Sequence, residues 1–300
     1  MKDYLYLRAC QGRAALSEND LASLHRDGLG KEGESYVQTV VASLDDLNAC
    51  TLFDVWLHCY DTTQIDTLIV LPNRIYLINV KNYQMILHSE DEFSQEISQK
   101  ISHQLDYSRR ILEKILRHLG VKIPIETVVM FTNTNQLDPI PEPHPDTVVL
   151  SHEMTFWFRK IMRQEEGWRS MRRLKEVISG ILTFECEPIV SDQKPALTHE
   201  EVRIQLECGL RCIKCRAVNQ MVDETQRMIT CSCGHRASKE EVVLASIDEY
   251  LALRKTTCFT RLQVEEFLVD VNKSTLKRLL RKHFYLVGKG RASYYKITTE

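Results

Sequence analysis

Five of the ten cysteines in this 300-residue chain lie between Cys208 and Cys233. Four of the five form two pairs, Cys212-x-x-Cys215 and Cys231-x-Cys233, with fifteen residues between the pairs. Cysteine pairs that flank a strand-rich insert are typical of a zinc ribbon, in which four thiolates surround Zn²⁺ tetrahedrally. Because such a site has no open coordination position, we expect it to be structural and not catalytic.

The second cysteine pair is shorter than the usual C-x-x-C. Either Cys208 or His235 could therefore replace one of the four ligands. Gly234 follows the pair and permits the tight turn that a zinc knuckle needs. Clustered cysteines in a cytoplasmic chain favour a metal over disulfides.

A second group of chemically capable residues lies where an apolar strand ends. Residues 75–78 indicate a buried strand, but Asn79 and Lys81 then place an amide and an ammonium group on one face of it. One explanation is structural, with Lys81 leaving the core and extending its ammonium group into water. The other is a polar site at the end of the strand.

The preceding apolar run, residues 64–71, is separated from this strand by a Pro-Asn pair, which indicates a hairpin. Symmetric pairing about that turn places Asp66 opposite Asn79 and Gln64 opposite Lys81. An acid, an amide and a lysine would then converge. In the structural explanation, Asp66 only caps a turn.

The elements that position these residues follow the order α-β-β-β-α-β-β-α, which predicts an α/β fold with a mixed sheet flanked by helices. Residues 185–201 carry prolines and polar residues without a sustained period, and we interpret them as a linker. The predicted domains are therefore residues 1–190, a zinc ribbon at 200–238 and a third module at 239–300.

The third module is basic. Residues 253–300 carry eleven Lys or Arg against four Asp or Glu, in a chain whose net charge is −2. This asymmetry indicates an electrostatic surface for nucleic acid, although a solvated helix face is an equally simple explanation.

Residues 239–253, 261–269 and 273–283 have the pattern of three short amphipathic helices, and two strands follow them. This arrangement resembles a winged helix-turn-helix, which either binds DNA or docks proteins. The candidate DNA contacts on the third helix and the wing are Lys273, Lys277, Arg278, Arg281, Lys282, Lys289 and Arg291.

No apolar run approaches the roughly 18 residues of a membrane span, and the N-terminus does not resemble a signal peptide. We therefore expect a cytoplasmic protein that does not contact membranes.

Several motifs of the first domain occur in the order seen in the nuclease-related domain (NERD) family, which is similar to the PD-(D/E)XK nucleases. These motifs are GKEGE at 30–34, QIDTLIV at 64–70, INVKNY at 78–83, HQLDYSRRIL at 103–112 and VVMFTN at 128–133. The resemblance implies a restriction-endonuclease-like core that hydrolyses phosphodiesters with Mg²⁺ or Mn²⁺.

The resemblance also implies roles for individual residues. Asp66 would bind the metal, and Lys81 would orient the attacking water and offset phosphate charge. Glu34 would be an accessory acid on the first helix, and Gln104 the polar residue of the following helix.

The sequence departs from the family pattern at Asn79, where a carboxylate is usual. An amide oxygen can also bind Mg²⁺ beside Asp66, but it brings no charge. Weak catalysis, a replacement ligand from Glu34 or Asp61, and an inactive site are all compatible with the sequence.

Two functions follow. The first is a metal-dependent DNA nuclease for DNA processing or repair, guided by the basic module. The alternative is a non-catalytic DNA-binding or regulatory protein on a degenerate nuclease fold.

Overall fold

The computed structural model describes residues 4–44, 47, 50–83, 92–134, 147–164, 171–187, 195–225, 227–269, 271–290 and 293–297. Among these residues, no helix combines the length and the apolar character that crossing a membrane requires.

The helices in chain order are α1 (Tyr4–Cys10), α2 (Glu18–Ala42), α3 (Glu92–His118), α4 (Met154–Gln164), α5 (Met171–Leu182), α6 (His199–Gln205), α7 (Lys239–Arg254), α8 (Arg261–Leu268) and α9 (Lys273–His283). The strands are β1 (Thr51–Cys59), β2 (Asp61–Val70), β3 (Ile75–Lys81), β4 (Ile125–Phe131), β5 (Thr147–Leu150), β6 (Met221–Glu224), β7 (Met228–Cys231), β8 (Arg236–Ser238), β9 (Cys258–Phe259), β10 (Phe284–Val287) and β11 (Tyr294–Ile297).

The chain divides into two compact units. Residues Arg26–Ile189 form what we call the sheet unit, and Met1–His25 together with Val190–Glu300 form the cysteine unit. Residues 1–25, which the sequence places in the first domain, thus belong to the cysteine unit. The further boundary at residue 238 stays a prediction.

A five-stranded mixed sheet in the order β1-β2-β3-β4-β5 forms the centre of the sheet unit. β1, β2 and β3 pair antiparallel, whereas β3, β4 and β5 pair parallel. Parallel neighbours need a crossover, which α3 supplies between β3 and β4. The predicted α/β fold is confirmed, and the carboxyl ends of β3, β4 and β5 lie at one edge of the sheet.

Burial explains why these segments adopt their elements. β3 is buried from Ile75 to Val80, as its continuous apolar sequence predicts for a central strand. In α3, Ile101, Leu105 and Leu112 recur at helical spacing on the buried face. Glu92–His118 therefore covers the sheet with one apolar side and exposes the other.

The β2–β3 hairpin has the predicted register. Thr67 pairs with Ile78 and Val70 pairs with Ile75. The hydrogen-bonded ladder ends at the pair Thr67–Ile78. Asp66 and Asn79 come next in the same register and are opposite each other, as expected, but they are not a ladder pair.

The cysteine unit contains two three-stranded antiparallel sheets, in the orders β6-β7-β8 and β10-β11-β9. Its helices α7, α8 and α9 occupy the three segments predicted to be helical. Asn272 caps α9 as expected, since its side chain accepts a hydrogen bond from Ser274 N. One apolar cluster joins these helices to β7 and β8.

The N-terminal segment is held in this unit by a buried ionic cluster. Glu249 on α7 accepts hydrogen bonds from Arg13 (Nη2, 3.1 Å), Arg211 (Nε, 2.7 Å) and Arg216 (Nη2, 2.6 Å). The side chain of Arg13 is fully buried, and it also donates to the carbonyl of Glu207. A charge this deeply buried needs such partners, and they explain why residues 1–25 pack here.

Candidate functional site

Lys81 is the last residue of β3, and α3 passes close to its side chain. Its Nζ atom donates a hydrogen bond to Gln104 Oε1 at 3.3 Å. Burial lowers the pKa of Lys81, and the Asp66 and Glu34 carboxylates partly oppose that shift. The ammonium group thus has an acceptor and two nearby carboxylates, as the polar-site explanation requires.

Asp66 bridges β2 and β3 where their ladder stops. Its Oδ2 atom accepts a hydrogen bond from Val80 N at 2.8 Å, so the carboxylate binds the neighbouring strand and does not merely cap a turn. Burial raises the pKa of Asp66, while the charge of Lys81 and the Val80 hydrogen bond lower it in part.

Asn79 lies inside the structure, with only 5% of its surface exposed. Its Oδ1 atom is buried and has no hydrogen-bond partner among the described residues. Leaving a buried carbonyl unsatisfied costs about 1–3 kcal/mol. An acceptor of this kind, next in register to Asp66, fits an oxygen ligand of a metal ion.

Glu34 is brought to this edge by close packing of α2. A Cβ on Gly33 would lie 2.9 Å from Asn82 Cβ and 2.9 Å from Thr132 Oγ1, so only glycine allows the helix this close. Asn82 Nδ2 also donates to the carbonyl of Leu29 at 3.0 Å. Gly33, the second glycine of the GKEGE motif, therefore allows Glu34 to lie at this edge.

The environment of Glu34 disfavours its ionised form. Burial, followed by the negative charges of Asp66 and Asp54, raises the pKa of Glu34 to about 7. Lys31 and Lys81 oppose the shift. A carboxyl group with this pKa can exchange a proton near neutral pH.

Asp54 is a residue that the sequence analysis missed. It lies in β1 opposite Asp66, between the pairs Phe53–Thr67 and Val55–Ile65, and its φ of 48° is left-handed. Asp54 is at the point where the β1–β2 ladder skips a pair. The only sign of this in the sequence is an aspartate within an otherwise apolar strand.

Asp61, by contrast, is not part of this group. It pairs with Cys59 at the turn between β1 and β2, and its side chain lies 3.9 Å from Lys114 Nζ. Asp66 lies five residues further along the chain, about 16 Å away along β2. Of the two replacement ligands that the sequence left open, Asp61 is therefore too distant from Asp66, whereas Glu34 is close to it.

The oxygen groups form an open arrangement. Within the described part of the chain, three or more Cys, His, Asp or Glu donor atoms lie within 4.8 Å of one another only at the four paired cysteines. Glu34, Asp54 and Asp66 are therefore spaced more widely than a closed cage. Open sets of hard oxygen donors suit Mg²⁺ or Mn²⁺, which keep several waters and also bind phosphate.

The four paired cysteines do form a compact cluster in the cysteine unit. Cys212 Sγ lies 3.8 Å from Cys233 Sγ, and Cys215 Sγ lies 3.6 Å from Cys231 Sγ. In a tetrahedron with Zn–S bonds of about 2.3 Å, neighbouring sulfurs are about 3.8 Å apart. The observed spacing fits zinc.

Two tight turns present these sulfurs. In the first turn, Arg216 N donates to the carbonyl of Cys212. In the second, Gly234 N donates to the carbonyl of Cys231, and Gly234 has the left-handed φ of +80° that the sequence suggested. Neither alternative ligand, Cys208 or His235, belongs to the group.

The basic face of α9 points away from the core. Leu276, Leu279 and Leu280 are fully buried. The exposed side of the helix carries Lys273, Lys277, Arg278 and Arg281.

The other three predicted contacts differ. Lys282 donates to Glu240 Oε1 at 2.6 Å, so its charge is already paired. Lys289 is exposed in the turn after β10. Arg291 lies outside the described residues.

Comparison with known proteins finds one similarity, which lies within the sheet unit. Residues 29–132 match the family model of the nuclease-related domain, NERD. No curated protein and no solved structure matches the chain. The match covers the five residues predicted for catalysis, and it confirms the resemblance drawn from the five motifs. We call the group around Asp66 the acidic site. Residues 29–132 of this chain are thus similar to the nuclease-related domain family.

Proposed function

We propose that the sheet unit is a divalent-metal-dependent phosphodiesterase that cleaves DNA. The observation that carries this proposal is the convergence of Lys81, Asp66 and Glu34 at the end of β3. A lysine beside two partly buried carboxylates is an unfavourable arrangement for stability alone, because each charged group loses hydration.

Asp66 and the buried Oδ1 of Asn79 are the groups that would hold the metal. A bound Mg²⁺ or Mn²⁺ supplies positive charge to a phosphate and makes a bound water more acidic.

The other side chains of the site have separate roles in catalysis. Lys81 offsets the negative charge that accumulates on the phosphate, and Gln104 holds its ammonium group in place. Glu34, with its pKa of about 7, accepts a proton from the attacking water. Hydrolysis joins the water oxygen to phosphorus, breaks one P–O ester bond and protonates the leaving oxygen.

The test is cleavage of plasmid and linear DNA by the full chain with Mn²⁺ or with EDTA. We expect EDTA to abolish cleavage and Lys81→Ala to reduce it by at least about 100-fold, as for loss of a group that stabilises transition-state charge. Lys100→Ala is the matched control, because Lys100 on α3 is exposed and forms a surface ion pair with Glu96. Full activity of Lys81→Ala, or cleavage in EDTA, would contradict the proposal.

We further propose that the cysteine unit contributes a structural Zn²⁺ site and a winged-helix-like DNA contact through α9. The four sulfurs support the zinc site by their spacing. The exposed cations of α9, a helix capped by Asn272, support the DNA contact, because DNA-binding helices present such side chains to DNA. DNA binding without cleavage under any metal condition would leave a binding-only role.

Salt dependence tests the DNA contact. Binding of labelled duplex by the full chain should weaken as salt rises, and replacing Lys277 and Arg281 by Ala should flatten the log–log slope by about two units. Lys282→Ala should change the slope least, because Lys282 is paired with Glu240. An unchanged slope in the Lys277/Arg281 variant would refute the assignment.

A further inference from the structure

Asp54 interrupts the pairing of β1 with β2. Phe53 pairs with Thr67 and Val55 pairs with Ile65, whereas Asp54 and Asp66 stand opposite each other without pairing. The two carboxylates therefore occupy equivalent positions on adjacent strands, at the one point within β1 where its pairing with β2 skips a residue.

The same row continues into the third strand. The β2–β3 ladder ends at Ile78, and the next residue along β3 is Asn79. Asp54, Asp66 and Asn79 thus stand side by side on neighbouring strands, which are spaced about 4.8 Å apart. Three residues with side-chain oxygens therefore lie in one row, where the β1–β2 ladder skips a pair and the β2–β3 ladder ends.

The backbone at Asp54 supports a role beyond pairing. Its φ of 48° is left-handed, a conformation that Asp and Asn tolerate better than most residues but that still costs energy. Gln64 Nε2 donates to Asp54 Oδ1 at 2.7 Å and fixes the carboxylate. A conformation of this kind persists when surrounding contacts enforce it, and such residues cluster at functional sites.

The charges around the row are unbalanced. Asp54 raises the pKa of both Glu34 and Asp66, which places its charge close to both. Lys81 is the only cation that acts on the pKa of Asp66 among the described groups. The buried Oδ1 of Asn79 also has no donor among the residues that the structure describes. A divalent cation would neutralise the excess charge and satisfy that oxygen.

We propose that Asp54 supplies the metal-binding carboxylate that position 79 lacks, so that Asp54, Asp66 and Asn79 Oδ1 together bind one Mg²⁺ or Mn²⁺. The charge absent from β3 is thus provided by β1, on the other side of Asp66. This inference rests on the proposed nuclease function and names a further ligand for it.

The experiment measures Mn²⁺ binding to the full chain by calorimetry or electron paramagnetic resonance, together with DNA cleavage. Asp54→Asn removes the charge but retains a residue type suited to a left-handed φ. We expect this variant to bind Mn²⁺ about tenfold or more weakly and to cleave DNA more slowly, because replacing a residue of a metal site commonly lowers metal affinity by roughly 10- to 100-fold. Asp61→Asn is the control on the same hairpin and should bind Mn²⁺ like the unmodified protein.

Two further variants sharpen the result. Asn79→Asp in the Asp54→Asn background returns one carboxylate to the row and should restore most of the Mn²⁺ affinity. Gln64→Leu removes the hydrogen bond that positions Asp54, and should weaken Mn²⁺ binding by a smaller factor. Melting curves in EDTA establish that each variant is folded.

The outcomes separate this inference from the proposed function. If Asp66→Asn loses Mn²⁺ binding and cleavage while Asp54→Asn retains both, Asp54 is not a ligand and the nuclease function stands. If the unmodified protein neither binds Mn²⁺ nor cleaves DNA, the function itself fails. Failure of Asn79→Asp to restore affinity would overturn the claim that Asp54 replaces that carboxylate.

Discussion

The four cysteines and the acidic row are both suited to metal ions, but they are built differently. The cysteine sulfurs come from two tight turns within 22 residues of chain and lie within 4.8 Å of one another. The acidic site draws Glu34, Asp54, Asp66 and Asn79 from a helix and three strands, and its carboxylates are more widely spaced. A site closed by protein ligands holds a metal for stability, whereas an open one leaves room for water and substrate.

The comparison also concerns what each site costs without its metal. Neutral thiols can be buried at little cost, since they behave as small apolar groups. Carboxylates near one another repel and lose hydration, as the raised pKa values of Glu34 and Asp66 show. The cysteine site thus lacks stabilising bonds without its metal, and zinc would supply folding free energy there. In the acidic site, a metal would relieve repulsion between carboxylates.

The largest expected effect is loss of the sulfur ligands. Cys212→Ser should lower the free energy of unfolding of the cysteine unit by more than about 5 kcal/mol, because zinc binding supplies about 10–16 kcal/mol in small zinc domains. Hydrogen exchange should then lose protection in α7 to β11 and keep it in β1 to β3. Cys208→Ser is the control, since its thiol lies outside the cluster. Normal protection in Cys212→Ser would show that the two sites do not differ as described.

The next effect tests how the acidic site is positioned. Gly33→Ala should destabilise the sheet unit by about 1–3 kcal/mol, because the new methyl group overlaps Asn82 and Thr132 and moves α2 outward. Gly30→Ala is the matched control on the same helix, where a Cβ meets nothing within 4 Å, and it should stabilise by up to about 1 kcal/mol. Chemical denaturation measures both, and equal behaviour of the two variants would rule out close packing at Gly33.

The smallest effect is the pH dependence contributed by Glu34. Its pKa rises from 4.5 to about 7 on folding, so the folded state binds the proton more tightly and stability falls as pH rises between these values. In EDTA, Glu34→Gln should be more stable than the unmodified protein at pH 8 by about 1–2 kcal/mol, a figure reduced because the side chain is partly in water.

At pH 4 both forms of residue 34 are neutral, and the difference in unfolding free energy should vanish. Mn²⁺ should reduce the advantage of Glu34→Gln at pH 8, since the ion favours the charged carboxylate. A pH-independent difference would mean that the Glu34 carboxyl group is not perturbed.

Sequence was sufficient wherever a pattern is local. The period of α3, the register of the β2–β3 hairpin, the cap at Asn272 and the four paired cysteines each follow from residues close together in the chain. The order of elements then determined the mixed sheet.

Sequence was insufficient where placement depends on tertiary packing. The contribution of Asp54 depends on an interrupted ladder between β1 and β2. The pairing of Lys282 depends on Glu240, 42 residues earlier. The placement of residues 1–25 depends on buried charge pairs that span most of the chain, which no local pattern reports.

The arginine cluster around Glu249 has a consequence for protein synthesis. Arg13 and its carboxylate partner are 236 residues apart, so at ribosomal speeds of about 5–20 residues per second roughly 10–50 s pass before the partner exists. The whole sheet unit is synthesised during this interval, and the residues around Arg13 stay exposed to solvent. Arg13 is thus made before the sheet unit but can be enclosed only after Glu249, which follows the sheet unit in the chain, has been made.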